Sequence, residues 1–172
     1  MNLQRLTRVL KEMTAQEIPQ LLVSDPTAIF YLTGKWIHPG ERMLVLYINS
    51  NGTVKLFLGS LFAFSEDIGA ELFTFSDTED PVALLVSHLS ANGTIGVDKN
   101  WPARFLLKLQ AQKAGAAIVN GSPVVDRVST CKDEEEVALM AEASRLNDLA
   151  VDQMIKLIPA HMSEKQMAKK LS

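Results

Sequence analysis

Three side chains suited to recognition chemistry crowd one short stretch of the chain: Trp36, His38 and Arg42. A guanidinium holds a carboxylate through two parallel hydrogen bonds, and an aromatic face and an imidazole on the same loop complete what a peptide-binding wall uses. A plainer role fits the same residues, with Trp36 packed on a sheet edge and Arg42 a surface charge. The remaining chemistry-bearing types are scattered. His38, His88 and His161 lie far apart, and none belongs to an H-E-x-x-H or similar ligand spacing. Asp77, Glu79 and Asp80 cluster, but without the alternating acids and terminal Glu of a calcium loop, so they read as a solvated loop ending in a helix cap. The single cysteine, Cys131, has no histidine near it in sequence and reads as structural. No glycine-rich phosphate cradle is present, and Ser24, Ser60 and Ser65 do not stand in G-x-S-x-G elbows. No catalytic residue and no metal ligand is therefore expected in these residues.

The elements that must position the loop follow from local pattern. Leu3, Leu6, Val9, Leu10 and Met13 recur at helical spacing. A short buried strand is expected over residues 20–24, then a helix opened by Asp25 as cap and Pro26 as first residue, and stopped by Gly34. Residues 35–41 form the loop, whose His38-Pro39-Gly40 is turn chemistry. Beyond it, residues 43–48 read as a fully buried strand, Asn49-Ser50-Asn51-Gly52 as a hairpin turn and residues 53–58 as the returning strand. Residues 61–64 are open between strand end and helix, and residues 72–75 form another strand. Asp80-Pro81 repeats the cap signature and opens a helix with Val82, Leu85, Val86 and Leu89 on its apolar face. Strands are expected over 94–98 and 116–119, a helix from Pro102 to about Lys113 between them, and a short helix or turn from Ser122-Pro123 toward Val128. The alternation predicts an α/β fold, with a mixed sheet of about five to six strands flanked by helices.

The chain has 172 residues, 47% of them hydrophobic and 22% charged, the composition of an ordinary globular protein. A net charge of -3 argues against a nucleic-acid partner, and the basic cluster Lys165, Lys169 and Lys170 reads as a solvated helix face. No apolar run reaches the roughly 18 residues that a membrane span needs. Lone-cysteine usage and the absence of a secretory core segment at residues 1–11 point to the cytoplasm.

The last 42 residues, 131–172, differ in character from residues 1–130. Residues 126–136 read as a strand or turn running into a helix start, where Asp133 and Glu136 form a capping box. Leu139, Ala143, Leu146, Ala150, Met154 and Leu157 then mark one apolar stripe ending at Pro159. A second box, Ser163 with Gln166, is flanked by Met162 and Met167 in staple positions. A helix so short is marginal unless it packs on something. Residues 1–130 are expected as one domain and 131–172 as a linker plus the first helices of a further domain.

Several of these motifs resemble those of the creatinase/prolidase amino-terminal domain found in Xaa-Pro dipeptidases and aminopeptidase P. Tyr31-Leu32-Thr33-Gly34 is similar to that family's YLTG element, and Ile95-Gly96-Val97-Asp98 to its iGvE strand. Asp126-Arg127-Val128 through Lys132-Asp133-Glu134-Glu135-Glu136-Val137, continued by Met140 and Ala143, resembles its domain junction. Ile158-Pro159 with Ser163-Glu164 is similar to a later i.pG.tE, with Ala160 in place of the family's glycine. The resemblance implies a non-catalytic α/β domain ahead of a pita-bread metallopeptidase domain. In such a parent two divalent ions (Mn, Co or Zn), held by two Asp, one His and two Glu downstream of the junction, carry the hydrolysis. None of those ligands has a counterpart here, so no cofactor is expected in this chain. It further implies a homodimer acting on proline-containing peptides, with Trp36, His38 and Arg42 at a substrate site, on a loop that in this family can approach the partner subunit's active site. A catalytically inactive peptide- or protein-binding module of the creatinase-like type is the alternative. A free-standing small enzyme is disfavoured, since it needs a pocket with strongly perturbed titratable groups.

Overall fold

The computed structural model describes residues 1–112, 115, 117–158 and 163–171. Expectations placed on Lys113, Ala116, Pro159, Ala160, His161 and Met162 lie outside the described residues. The chain forms two compact units, Met1–Thr130 and Cys131–Ser172.

The first unit is built on a six-stranded sheet in the order β4-β3-β2-β1-β5-β6. Its strands are β1 (Gln20–Val23), β2 (Leu44–Asn49), β3 (Val54–Gly59), β4 (Glu71–Phe75), β5 (Thr94–Val97) and β6 (Ala117–Asn120). β2 runs antiparallel to both β1 and β3, while β1–β5, β3–β4 and β5–β6 are parallel, so the sheet is mixed. Five helices cover it: α1 (Leu3–Ala15), α2 (Pro26–Thr33), α3 (Pro81–Val86), α4 (Ala103–Ala111) and α5 (Ser122–Thr130).

Both faces of the central strands are buried, which is why their sequences are nearly continuous apolar runs. Successive side chains point to opposite faces. Thus Leu21, Val23, Leu44, Leu46, Ile48, Leu56 and Leu58 pack under α1, α2 and α5, together with Val9, Ile29 and Val124. Leu22, Val45, Tyr47 and Phe57 face the other way and pack with Val82 and Leu85 of α3 and Phe105 and Leu109 of α4.

Asp25 accepts the Thr27 N–H at 3.3 Å and opens α2, whose end is set by Gly34 at φ 72 with its N–H on Phe30 O at 2.7 Å. That left-handed cap sends the chain off into the loop instead of another helical turn.

Four local differences from the sequence pattern have simple causes. Residues left open at 61–64 begin in a 3-10 turn, Ser60–Phe62, which closes β3. α3 is shorter than its apolar pattern, ending at Val86, and Leu89 packs from beyond the helix end. α5 starts at Ser122 itself, with Asn120 Oδ1 accepting from Ser122 N at 3.0 Å and Oγ at 2.7 Å, so the serine is held by a cap and is not one. Finally, residues 126–130 are helical, because Val124, Val125 and Val128 bury one face of α5 against the sheet and α1.

In the second unit α6 (Glu134–Leu157) begins with the capping box: Glu136 N donates to Asp133 Oδ1 at 2.9 Å and Asp133 N to Glu136 Oε2 at 3.0 Å. Its apolar residues are exposed, Leu139 at 65% and Leu146 at 53%. α7 (Glu164–Leu171) packs on α6 and carries the second box, Ser163 N donating to Gln166 Oε1 at 2.9 Å.

Candidate functional site

The site is assembled where the carboxyl ends of β1 and β5 meet the loop between α2 and β2. Asp98, one residue past β5, ties these ends together. Its Oδ2 accepts from the backbone N–H of Ser24 at 2.6 Å and of Asp25 at 2.8 Å, and its Oδ1 from Ser24 Oγ at 2.5 Å. One carboxylate thus fixes where α2, and the loop behind it, begins.

The loop is pinned along its length. Thr33 Oγ1 accepts the Lys35 N–H at 3.1 Å, and Lys35 Nζ reaches Glu66 at 2.8 Å while lying 4.7 Å from the Phe64 ring centre. Ile37 is buried as a peg, and Arg42 N donates to Pro39 O at 3.1 Å to close the turn around Pro39-Gly40. Arg104 of α4 donates to the Glu41 carbonyl. Arg42 is held in a fork: Nε donates to Asp77 Oδ1 and Nη2 to Asp77 Oδ2, each at 2.6 Å. This pairing raises the arginine's pKa further and holds the Asp77 carboxyl below its ordinary range. Gly59 makes room for the fork, since a Cβ there would lie 2.9 Å from Arg42 Cδ.

Two adjoining clefts result, with Arg42 on the border of both. One, of about 280 Å³, lies between Arg42, Phe75, Asp77 and Arg104. The other, of about 210 Å³, lies under His38-Pro39-Gly40 and is floored by Leu44 and Trp101.

The three residues singled out by sequence therefore share one loop but not one task. Trp36 is 56% exposed and meets Phe30 of α2 edge-on, ring centres 5.7 Å apart, so it packs on a helix instead of the sheet edge. His38 is exposed at the roof of the smaller cleft. Arg42 makes the two parallel hydrogen bonds expected of it, but to Asp77 of its own chain. Sequence reading did not single out Asp98, Trp101 or Arg104 for the site. Asp98 carried a signal, as the one acid ending a buried strand; Trp101 and Arg104 carried none, because only the fold brings them beside residues 38–42.

His88 stands apart. It lies 4.2 Å from the Phe73 ring centre and 5.4 Å from that of Phe57, with Lys55 Nζ 3.0 Å from its Nδ1. Burial first, and the lysine second, push its pKa down. Among the described residues no group of three His, Cys, Asp or Glu side chains is placed to hold a metal ion, and no helix is long and apolar enough to cross a membrane.

Fold and loop together define a mixed α/β domain with a presented loop and no metal centre among the described residues. Residues 5–129 match the creatinase/prolidase N-terminal domain, and the chain belongs to that family. Among solved structures, a dipeptidase from Pyrococcus horikoshii superposes with a TM-score of 0.81 at 26% identity, over 97% of this chain and 48% of its own. The creatinase/prolidase N-terminal domain of an X-Pro dipeptidase from Streptococcus pyogenes, solved by itself, gives 0.61 at 24% identity, over 72% of this chain and 97% of its own. An uncharacterized peptidase of Staphylococcus saprophyticus is 26% identical over 95% of this chain and 47% of its own length. The chain thus spans about half the length of the curated relatives it matches.

Proposed function

We propose that this chain serves as the amino-terminal part of a cytoplasmic, metal-dependent Xaa-Pro peptidase, in which it contributes dimer contacts and one wall of the substrate site. The observation that carries this reading is the pinned loop. The loop is held through Lys35, the buried Ile37, Glu41 O and Arg42, while Trp36 and His38 are exposed and make none of these anchoring bonds. A loop held this firmly presents its two rings without losing much freedom when a peptide arrives. Arg42 acts in this scheme by setting the loop's shape through Asp77. The divalent ions of such a peptidase do not fit the described residues, which offer no donor set, so they and the hydrolytic step belong to other parts of the protein.

The test uses the full-length protein with added divalent metal and an Xaa-Pro dipeptide. Proline-specific hydrolysis is expected. Trp36→Ala and His38→Ala are each expected to lower kcat/KM by about tenfold, the effect of losing one ordinary contact. Absence of hydrolysis overturns the peptidase reading and leaves the binding module. Hydrolysis untouched by both substitutions overturns the role of the loop alone.

A further inference from the structure

The two edges of the sheet, β4 and β6, are not defended alike. A sheet edge is a row of unpaired backbone donors and acceptors, which proteins usually blunt with charge, proline or a covering element. β4 carries Glu71, whereas β6 reads Ala117-Ile118-Val119-Asn120, with neither charge nor proline. Ala117, Val119 and Asn120 are exposed, so the edge is open to solvent.

The ladder to β5 fixes which backbone groups of β6 are left over. The pair is parallel, with Gly96 opposite Val119 and Val97 opposite Asn120, and Gly121 N donates to Val97 O at 2.8 Å. In a parallel ladder every second residue turns both its N–H and its C=O to the neighbouring strand. Counting back from Gly121, Val119 and Ala117 face β5, so Ile118 and Asn120 turn theirs outward. These four groups find no partner among the described residues.

Their spacing selects the partner. Outward residues two apart, with an uncharged β-branched residue between them, are their own complement. Let a second copy of β6 lie antiparallel about a two-fold axis through Val119. Ile118 of each copy then stands opposite Asn120 of the other, and each such pair exchanges two N–H···O=C bonds. All four outward groups on both copies are answered. Val119 meets its own copy in a non-hydrogen-bonded pair, where side chains approach most closely. No like charges are set against each other, since β6 has none.

We propose that β6 is a self-association edge, through which two copies of this chain join their six-stranded sheets into one continuous sheet. Four hydrogen bonds and one valine pair make a contact at the small end of specific interfaces, so the dimer is weak and grows with concentration. The inference rests on the dimer part of the proposed function only in naming a surface for it. Its test contains neither substrate nor metal, so its failure and that of the peptidase reading are separate results.

Disulfide capture tests the register. In a chain carrying Cys131→Ser, which removes the native thiol, Val119→Cys sets two thiols across a non-hydrogen-bonded pair with Cα atoms about 4.5 Å apart, within disulfide reach. Ala117→Cys is also exposed and lies on the same face of β6. About this axis, however, its two copies stand four residues apart along the strands, more than about 13 Å and beyond that reach. Under mild oxidation at high protein concentration, Val119→Cys is expected to form a covalent dimer at least about tenfold faster than Ala117→Cys, and no faster in urea. Hydrogen exchange of the unaltered chain gives a second reading. The outward amides of Ile118 and Asn120 should gain protection as concentration rises, while those of Val119 and Gly121, which face β5, are protected throughout. Equal capture at the two positions overturns the proposal, and association through the exposed apolar residues of α6 would give that result. Ile118 and Asn120 amides that exchange alike at every concentration overturn it too. The exchange measurement decides by itself should the cysteine variants fail to fold.

Discussion

Replacing Asp98 by alanine tests whether one carboxylate organises the site. The substitution removes the acceptor for two backbone donors, Ser24 N at 2.6 Å and Asp25 N at 2.8 Å, and for the Ser24 hydroxyl at 2.5 Å. Ser24 is buried, so water replaces the lost bond poorly there, while the half-buried Asp98 position admits water to the remainder. Hydrogen bonds to a charged group contribute about 1.5–3 kcal/mol each, and with partial rehydration the combined loss is about 3 kcal/mol. For a unit of this size that corresponds to a fall in Tm of about 6–12 °C. Asp98→Asn makes the argument sharper. Its amide oxygen can still accept from both backbone N–H groups and its NH2 can donate to Ser24 Oγ, so these bonds persist without the carboxylate charge, and the weaker contact from Asn100 N at 3.3 Å is lost. A cost of about 1–2 kcal/mol is expected, clearly below that of the alanine. Both variants are measured by reversible urea and thermal unfolding of the 172-residue chain. An alanine variant within about 0.5 kcal/mol of the parent, the usual surface tolerance, or an asparagine as damaging as the alanine, refutes the reasoning.

Two further outcomes follow from charge. Arg42 depresses the Asp77 pKa, so the fork's contribution is present above the ordinary aspartate value of about 3.9 and is lost as pH falls through the lower folded value. Limited proteolysis within residues 35–42 should therefore accelerate only in strong acid for the parent, but at every pH for Asp77→Ala; equal rates at neutral pH count against the latch. His88 is depressed by burial and by Lys55, so the folded chain binds fewer protons than the unfolded one below the ordinary histidine value of about 6.5. Its stabilising contribution is present above that pH and declines as pH falls through the folded value. The urea midpoint should drop as pH falls below about 6.5, and His88→Phe should flatten that drop; an unchanged slope means another group is responsible.

Local signals made much of the fold legible. The caps at Asp25, Asp80 and Asp133, the left-handed stop at Gly34 and the hairpin at residues 49–52 involve partners a few positions apart, so a short window contains both halves of each interaction. The nearly continuous apolar runs of β1 and β2 likewise announced buried strands. The loop at residues 35–42 was marked by composition, and the family by its short motifs.

Sequence by itself thus determined the element order, the mixed sheet, the loop bearing Trp36 and His38, and the character of residues 131–172. The tertiary structure alone decided that Arg42 is spent on Asp77, 35 positions away, and that Asp98 reaches back 74 positions to hold Ser24. It also decided that Trp101 lies beneath His38 with an unanswered N–H. The reason is physical: charge and donor capacity belong to a residue type, but what satisfies them is set by distance in space. Only the parting of α2 and α4 to opposite faces of the sheet created the crevice in which those distances become short.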